Sequence, residues 1–235
     1  MDSREYEQEY ETEEKRRLEI NRKHRENGVR FIDIRVAYID EKAVIGAGTT
    51  IYPCVILEGN VTIGEDCVLG PNTRVVDSVV GDATEIQHSV VLKSKIGSNT
   101  TVGPFAYLRP DSDIGNHCKV GDFVEVKNAT MGDCAKASHL TYIGDADVGR
   151  GVNLGCGVVF VNYDGVNKYR SEVRDNAFVG CNTNIISPVV IEEGAYVAAG
   201  STVTGDIPAD ALWIDRGTKR VIEGWARQKM SQKKK

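Results

Sequence analysis

The sequence predicts an all-β solenoid, a parallel β-helix wound from hexapeptide repeats, opened by a charged helix and closed by an arm. Two observations carry that fold class. An aliphatic residue followed by glycine recurs in runs at steps of six or multiples of six, from Ile45-Gly46 through Ile63-Gly64, Val102-Gly103 and Val120-Gly121 to Val179-Gly180. About a dozen such matches, held in one phase apart from a five-residue step before Met131-Gly132, are the mark of stacked hexads. The 24 glycines beside few aromatic residues also suit a chain that turns often and tightly.

Residues 1–28 read as a helix. Acidic residues from Glu5 to Glu14 precede basic ones from Lys15 to Arg25, the order that complements a helix dipole, and Asn27-Gly28 supplies a stop. It carries so few apolar residues that a solvated helix or a partly frayed arm is expected. The solenoid occupies residues 29–208. Each hexad is one short strand and a turn, with the aliphatic residue inward, and three hexads close one triangular coil. No isolated coil can bury its aliphatic face, so about nine coils between Val44 and Pro208 stack into one domain. Residues 75–95 break the period while keeping strand-like alternation. Residues 161–172 form an inserted loop, and loops on a rigid scaffold are where function gathers. Residues 209–235 read as an arm with Trp213 and Trp225 and a basic tail from Lys229.

Composition excludes several classes. A formal net charge of −5 gives no global basic field for nucleic acid. No apolar run approaches the roughly 20 residues of a membrane span, and the acidic start does not resemble a signal peptide. The six scattered cysteines have no zinc spacing and read as buried small hydrophobes of a reduced, cytoplasmic protein.

With three hexads to a coil, spacing becomes geometry. Arg109 and Lys127 are three hexads apart and share a hexad position, so their cationic heads project side by side. Either a phosphate bridges them or an acid such as Asp111 or Glu125 neutralises them. His139, Cys156, Cys181 and Ala199 form a second file at the third hexad position. Small residues along an edge either leave a groove for a thin chain such as pantetheine or merely satisfy the corner. His139 lies at the end of that file with Tyr142 and Asn153 nearby, and imidazole, with an ordinary pKa of about 6.5, suits a general base.

Three motifs reach further than the hexads: Gly103-Pro104-Phe105-Ala106-Tyr107-Leu108-Arg109-Pro110, His139-Leu140-Thr141-Tyr142-Ile143-Gly144-Asp145-Ala146 and Asn162-Tyr163-Asp164-Gly165. On these the chain, from about Ile20 to Trp225, resembles the acetyltransferase half of bacterial bifunctional N-acetylglucosamine-1-phosphate uridyltransferase/glucosamine-1-phosphate acetyltransferases. The resemblance implies a left-handed parallel β-helix, a homotrimer with sites between subunits, and acetyl-CoA as cosubstrate with no metal. It implies that His139 deprotonates the glucosamine amine and that Arg109, Lys127, Tyr142 and Lys168 hold the sugar phosphate. Asn153 would bind the sugar, with Glu125 supporting the site. Asn162 and Tyr163 would position the acetyl group, and Cys156, Cys181, Ala199 and Arg216 would line the coenzyme A path. The family's nucleotidyltransferase domain has no counterpart in these residues, so the chain is expected either to be a fragment or to work beside a separate uridyltransferase. Cys156 and Cys181 stand where Ala and Ser are usual, and Trp213 where a smaller residue is usual.

Two rival classes make different demands. A metallo-hydratase on the same coil would need His88, His117 and His139 at one level, and their spacing along the chain does not provide it. A non-catalytic assembly module would have no use for the polar set.

Overall fold

The computed structural model describes residues 3–215, 217 and 221–225. Helix α1 (Ser3–Glu26) and a short 3₁₀ helix (Ile34–Val36) lead into a parallel solenoid whose strands are mostly two or three residues long. One face is an 11-stranded sheet running from Arg30–Phe31 to Leu212–Trp213. The remaining strands build the other two sides of the triangular coil, and every strand ladder is parallel.

The interior explains the hexads. Ile63, Leu69, Leu108 and Ile143 are essentially sealed from water, each contributing roughly 1.5–3 kcal/mol of transfer free energy. Inward polar residues are bridged between coils. Thr100 donates its hydroxyl to Gly115 O at 2.8 Å and accepts from Cys118 N at 3.0 Å. Cys67 and Cys118 replace a hydroxyl in that ladder, donating to Gly81 O and Gly132 O at 3.1 and 3.2 Å. Burial pushes the Cys118 thiol up to about 11. The expectation of six buried cysteines holds for these two alone. Cys54 and Cys181 are exposed, and Cys134 and Cys156 half-buried.

Three boundaries differ from the sequence reading. The stretch 75–95 is regular: Val68 faces Glu85 and Arg74 faces Val90, so the coils there fall slightly short of three full hexads without losing register. The solenoid runs past Pro208, because Leu212–Trp213 adds a further strand against Tyr196–Val197 and Trp213 packs on the core. Helix α1 is tied down at its C-terminal half. Ile20 packs on the core, and Asn21 donates to Ile34 O and Ala37 O at 2.9 and 3.0 Å. Arg17 lies over the Tyr38 ring at 4.7 Å.

Strands lengthen only in the middle of the chain. Glu125–Met131 and Tyr142–Val148 are the longest and turn a corner without breaking, at Asn128 (φ 45°) and Asp145 (φ 48°). The most chemically loaded part of the sequence therefore lies on its most continuous ladder.

Candidate active site

The predicted residues divide between two faces that meet at the corner residue Leu140, whose φ is 50°. His139 ends the strand Lys136–His139 on the 11-stranded face. Asn153 lies on that face, stacked below Lys136 in the next coil. Pairing of Leu154 with Val179, and of Val179 with Val197, carries the file from Cys156 to Cys181 and Ala199. Rung-to-rung bonds follow it: Gly157 N to His139 O at 3.3 Å, Asn182 N to Cys156 O at 2.8 Å and Gly200 N to Cys181 O at 2.8 Å. Above His139 stands Asp122, its register partner, with Oδ1 2.5 Å from the imidazole Nδ1. A Cβ on Gly121 would lie 1.9 Å from Ser138 O, so glycine is required where these two rungs close.

The second face holds the cations. Leu108 pairs with Val126, which sets Arg109 one rung from Lys127, and Glu125 pairs with Tyr142. Arg109 Nη1 donates to Glu125 Oε1 at 2.7 Å, and that bond raises the guanidinium above its ordinary value. Of the two fates open to the cation pair, neutralisation by Glu125 is what Arg109 shows. Lys127 meets another cation: its ammonium stands near that of Lys168, and this neighbour lowers the Lys168 pKa. Behind them burial alone would raise Asp145. Hydrogen bonds from Asn128 at 2.6 Å and Asn162 at 2.5 Å, with the charges of Lys127 and Lys168, outweigh burial and hold the carboxyl below its ordinary range. Tyr142 lies among these charges, its hydroxyl over its own strand. A Cβ on Gly144 would come within 2.3 Å of it.

The inserted segment joins strands Val159–Val161 and Ser171–Val173 and stretches that coil, so Val159 pairs with Asn184, well beyond the three-hexad step. It closes on itself. Tyr163 and Lys168 form an antiparallel bridge, Asp164 Oδ1 accepts from Val166 N and Asn167 N at 2.7 and 2.6 Å, and the Tyr163 hydroxyl donates to Gly165 O at 2.6 Å. Arg170 anchors its base, donating to both carboxylate oxygens of Asp147 at 2.5 Å and to Asn128 O at 2.9 Å. Asn162 is buried with its amide given to Asp145, whereas Tyr163 and Lys168 are exposed. Arg216 lies outside the described residues.

Spacing missed Asp122, Asp145 and the Asp147–Arg170 anchor. Asp122 could have been found, because it stands one coil before His139 at the same hexad position. Asp145 likewise follows Asn128 by one coil. Arg170 left no signal because the loop breaks the count. The three histidines of the hydratase reading lie apart: His88 is on the edge below Asn72 and His117 on another edge beside Cys134. Among the described residues no group of three or more His, Cys, Asp or Glu side chains could hold a metal ion, and no helix is long and apolar enough to cross a membrane.

A single chain presents both faces open. Two grooves of about 870 and 410 Å³ lie elsewhere, one between α1 and the first coils and one lined by Asp147, Glu172 and Glu192.

Residues 42–77, 93–128 and 170–205 match the bacterial transferase hexapeptide model (six repeats). The chain is 55% identical over 217 residues to the bifunctional protein GlmU of Clostridioides difficile, covering 92% of this chain and 47% of that protein. GlmU of Clostridium beijerinckii is 52% identical over 219 residues, covering 93% and 48%. The chain is similar to one half of these bifunctional GlmU proteins. It spans about half the length of the curated relatives it matches. Solved structures share the fold at lower identity. The Francisella novicida UDP-N-acetylglucosamine acyltransferase superposes with a TM-score of 0.56 at 18% identity, over 75% of this chain and 64% of that one. The Arabidopsis enzyme of the same name gives 0.55 at 20% identity, over 75% and 69%. The common architecture is the left-handed parallel β-helix, so the general right-handed rule for parallel crossovers does not apply to this GlmU-like chain.

Proposed function

We propose that this chain transfers the acetyl group of acetyl-CoA to the amine of glucosamine 1-phosphate. It would do so as a homotrimer, each site lying between the His139 face of one copy and the Lys127 face of the next. The observation that carries the reading is the register that sets Arg109 one rung from Lys127 and Glu125 beside Tyr142, with Lys168 near enough to Lys127 for its pKa to fall. Two ammonium groups held together ask for a polyanion, and a phosphate monoester answers that demand with several acceptor oxygens. His139, on the face around the corner, is the general base for an amine. Asn153 on its face is the sugar contact, with Glu125 steadying Arg109. Asn162 and Tyr163 at the loop set the acetyl group. The file of Cys156, Cys181 and Ala199 is the track for the pantetheine arm. The thioester is already activated, so base and positioning suffice, the base supplying about 10²- to 10⁴-fold. Cysteines all in the free form fit a reducing, cytoplasmic setting. The similarity to the GlmU proteins supports acyl transfer to an amino sugar.

The test is release of coenzyme A from acetyl-CoA with a panel of amino sugars, with and without a 1-phosphate. Glucosamine 1-phosphate should be preferred, and His139→Ala should lose about 10²- to 10⁴-fold in kcat while keeping its fold. Turnover of an unphosphorylated amino sugar in preference to glucosamine 1-phosphate would refute the phosphate assignment.

A further inference from the structure

Directly above His139 in the same column stands a carboxylate that neither the motifs nor the family resemblance assigned. Asp122 ends the strand Lys119–Asp122 and is the register partner of His139. Its Oδ1 lies 2.5 Å from Nδ1. Backbone holds the pair in place from both sides. Leu140 N donates to Asp122 O at 2.9 Å, and Gly157 N below donates to His139 O at 3.3 Å. Gly121 lets the two rungs approach where a side chain would collide with Ser138 O. Neither partner floats on a long, flexible stem, so the contact is set by the ladder as well as by charge.

We infer that Asp122 is a positioning residue for His139, holding the imidazole with its proton on Nδ1 so that Nε2 is the basic atom. The chemistry of the two groups leads there. The His139 hydrogen bond holds the Asp122 carboxyl below its ordinary range, so near neutral pH Asp122 is ionised and can only accept. A neutral imidazole facing a carboxylate through Nδ1 must donate from that atom, and the lone pair then belongs to Nε2. The same bond fixes the ring plane. The consequence for catalysis rests on the acetyl-transfer reading; the tautomer does not. In that reaction the amine gives a proton to Nε2 as its nitrogen bonds to the acetyl carbon. The carbon–sulfur bond breaks, and the proton passes on to the departing coenzyme A thiolate. A ring protonated on Nε2 would present a donor where an acceptor is needed.

The experiment is ¹⁵N–¹H long-range correlation on ¹⁵N-histidine-labelled protein near pH 8, with His139 assigned by its loss in His139→Ala. The wild type should show the Nδ1–H tautomer. Asp122→Ala should lose that preference and about 10- to 100-fold in kcat, a share of what a general base supplies, with both KM values within about threefold. Asp122→Asn, whose carbonyl can still accept from Nδ1–H, should keep the tautomer and most of kcat. An Nε2–H signal in the wild type overturns the inference even if a variant fails to fold, and so does an alanine variant with unchanged tautomer and kcat. A wild-type protein with the Nδ1–H tautomer but no turnover of any amino sugar supports the pairing and refutes the acetyl-transfer reading instead.

Discussion

A lysine beside another lysine is unfavourable unless an anion joins them. Lys168 bears that cost in the folded chain, where the nearby Lys127 lowers its pKa. A lysine depressed by folding binds fewer protons folded than unfolded, so below its ordinary value of about 10.4 the pair works against the fold, and stability rises with pH through the lowered pKa. A bound phosphate reverses the sign. Glucosamine 1-phosphate at about 100 times Kd should stabilise the protein by roughly 2.7 kcal/mol, about 5–10 °C in Tm for a chain of this size. Inorganic phosphate should give a smaller shift in the same direction. Lys127→Ala and Lys168→Ala should each remove most of the response to glucosamine 1-phosphate in differential scanning fluorimetry, and neither should lower the unliganded Tm. A full ligand shift in both variants would show that the phosphate binds elsewhere.

At the scale of elements, the loop 161–172 is a hairpin-like clasp held at its base by Arg170 on Asp147 and Asn128 O. The Arg170 bond, helped by Thr130, keeps the Asp147 carboxyl below its ordinary range against the opposing pull of burial. A carboxyl lowered by folding gives its stabilisation in full above the unfolded value of about 3.9 and loses it only as pH falls through the lowered one. The clasp should therefore stay shut at about pH 5. Arg170→Ala should open it, giving faster proteolysis between Asn162 and Lys168 and a higher KM for both substrates, with the solenoid's melting little changed. Equal cleavage of wild type and variant would show that Arg170 does not hold the loop. Much of this architecture was legible beforehand. Aliphatic–glycine steps name the inward residue of each strand, and a rung of three hexads puts Arg109 on Lys127 by counting alone. Stretch 75–95 defeated the count because its slightly shortened coils keep their register while shifting the phase. Asp147–Arg170 was illegible for a related reason: the partners face each other across an insertion, and no repeat predicts how an insertion folds back.

For the whole molecule, the decisive fact is that His139 and Asn153 stand on one face of the prism while Lys127 and Tyr142 stand on another. Between the two faces runs an apolar edge. Phe105, Phe123 and Leu140 are each more than half exposed, and the two phenylalanine rings stack at 5.6 Å. The proposed homotrimer would bury this edge at a three-fold axis and set the His139 face of each copy across a cleft from the Lys127 face of the next, a head-to-tail contact that closes into a ring. The open faces of the single chain would then be halves of one site. Mixing tests this directly. His139→Ala and Lys127→Ala should each be nearly inactive as homotrimers. Unfolded together at equal amounts and refolded, they assemble at random. A site becomes whole where the intact His139 of a Lys127→Ala copy faces the intact Lys127 of a His139→Ala copy. Random pairing makes that about one site in four, so the mixture should recover roughly a quarter of wild-type activity. If each chain instead completes its own site around the Leu140 corner, every site in the mixture carries one lesion or the other. The refolded mixture would then be as inactive as its parents, and the site would have to be rebuilt within one copy.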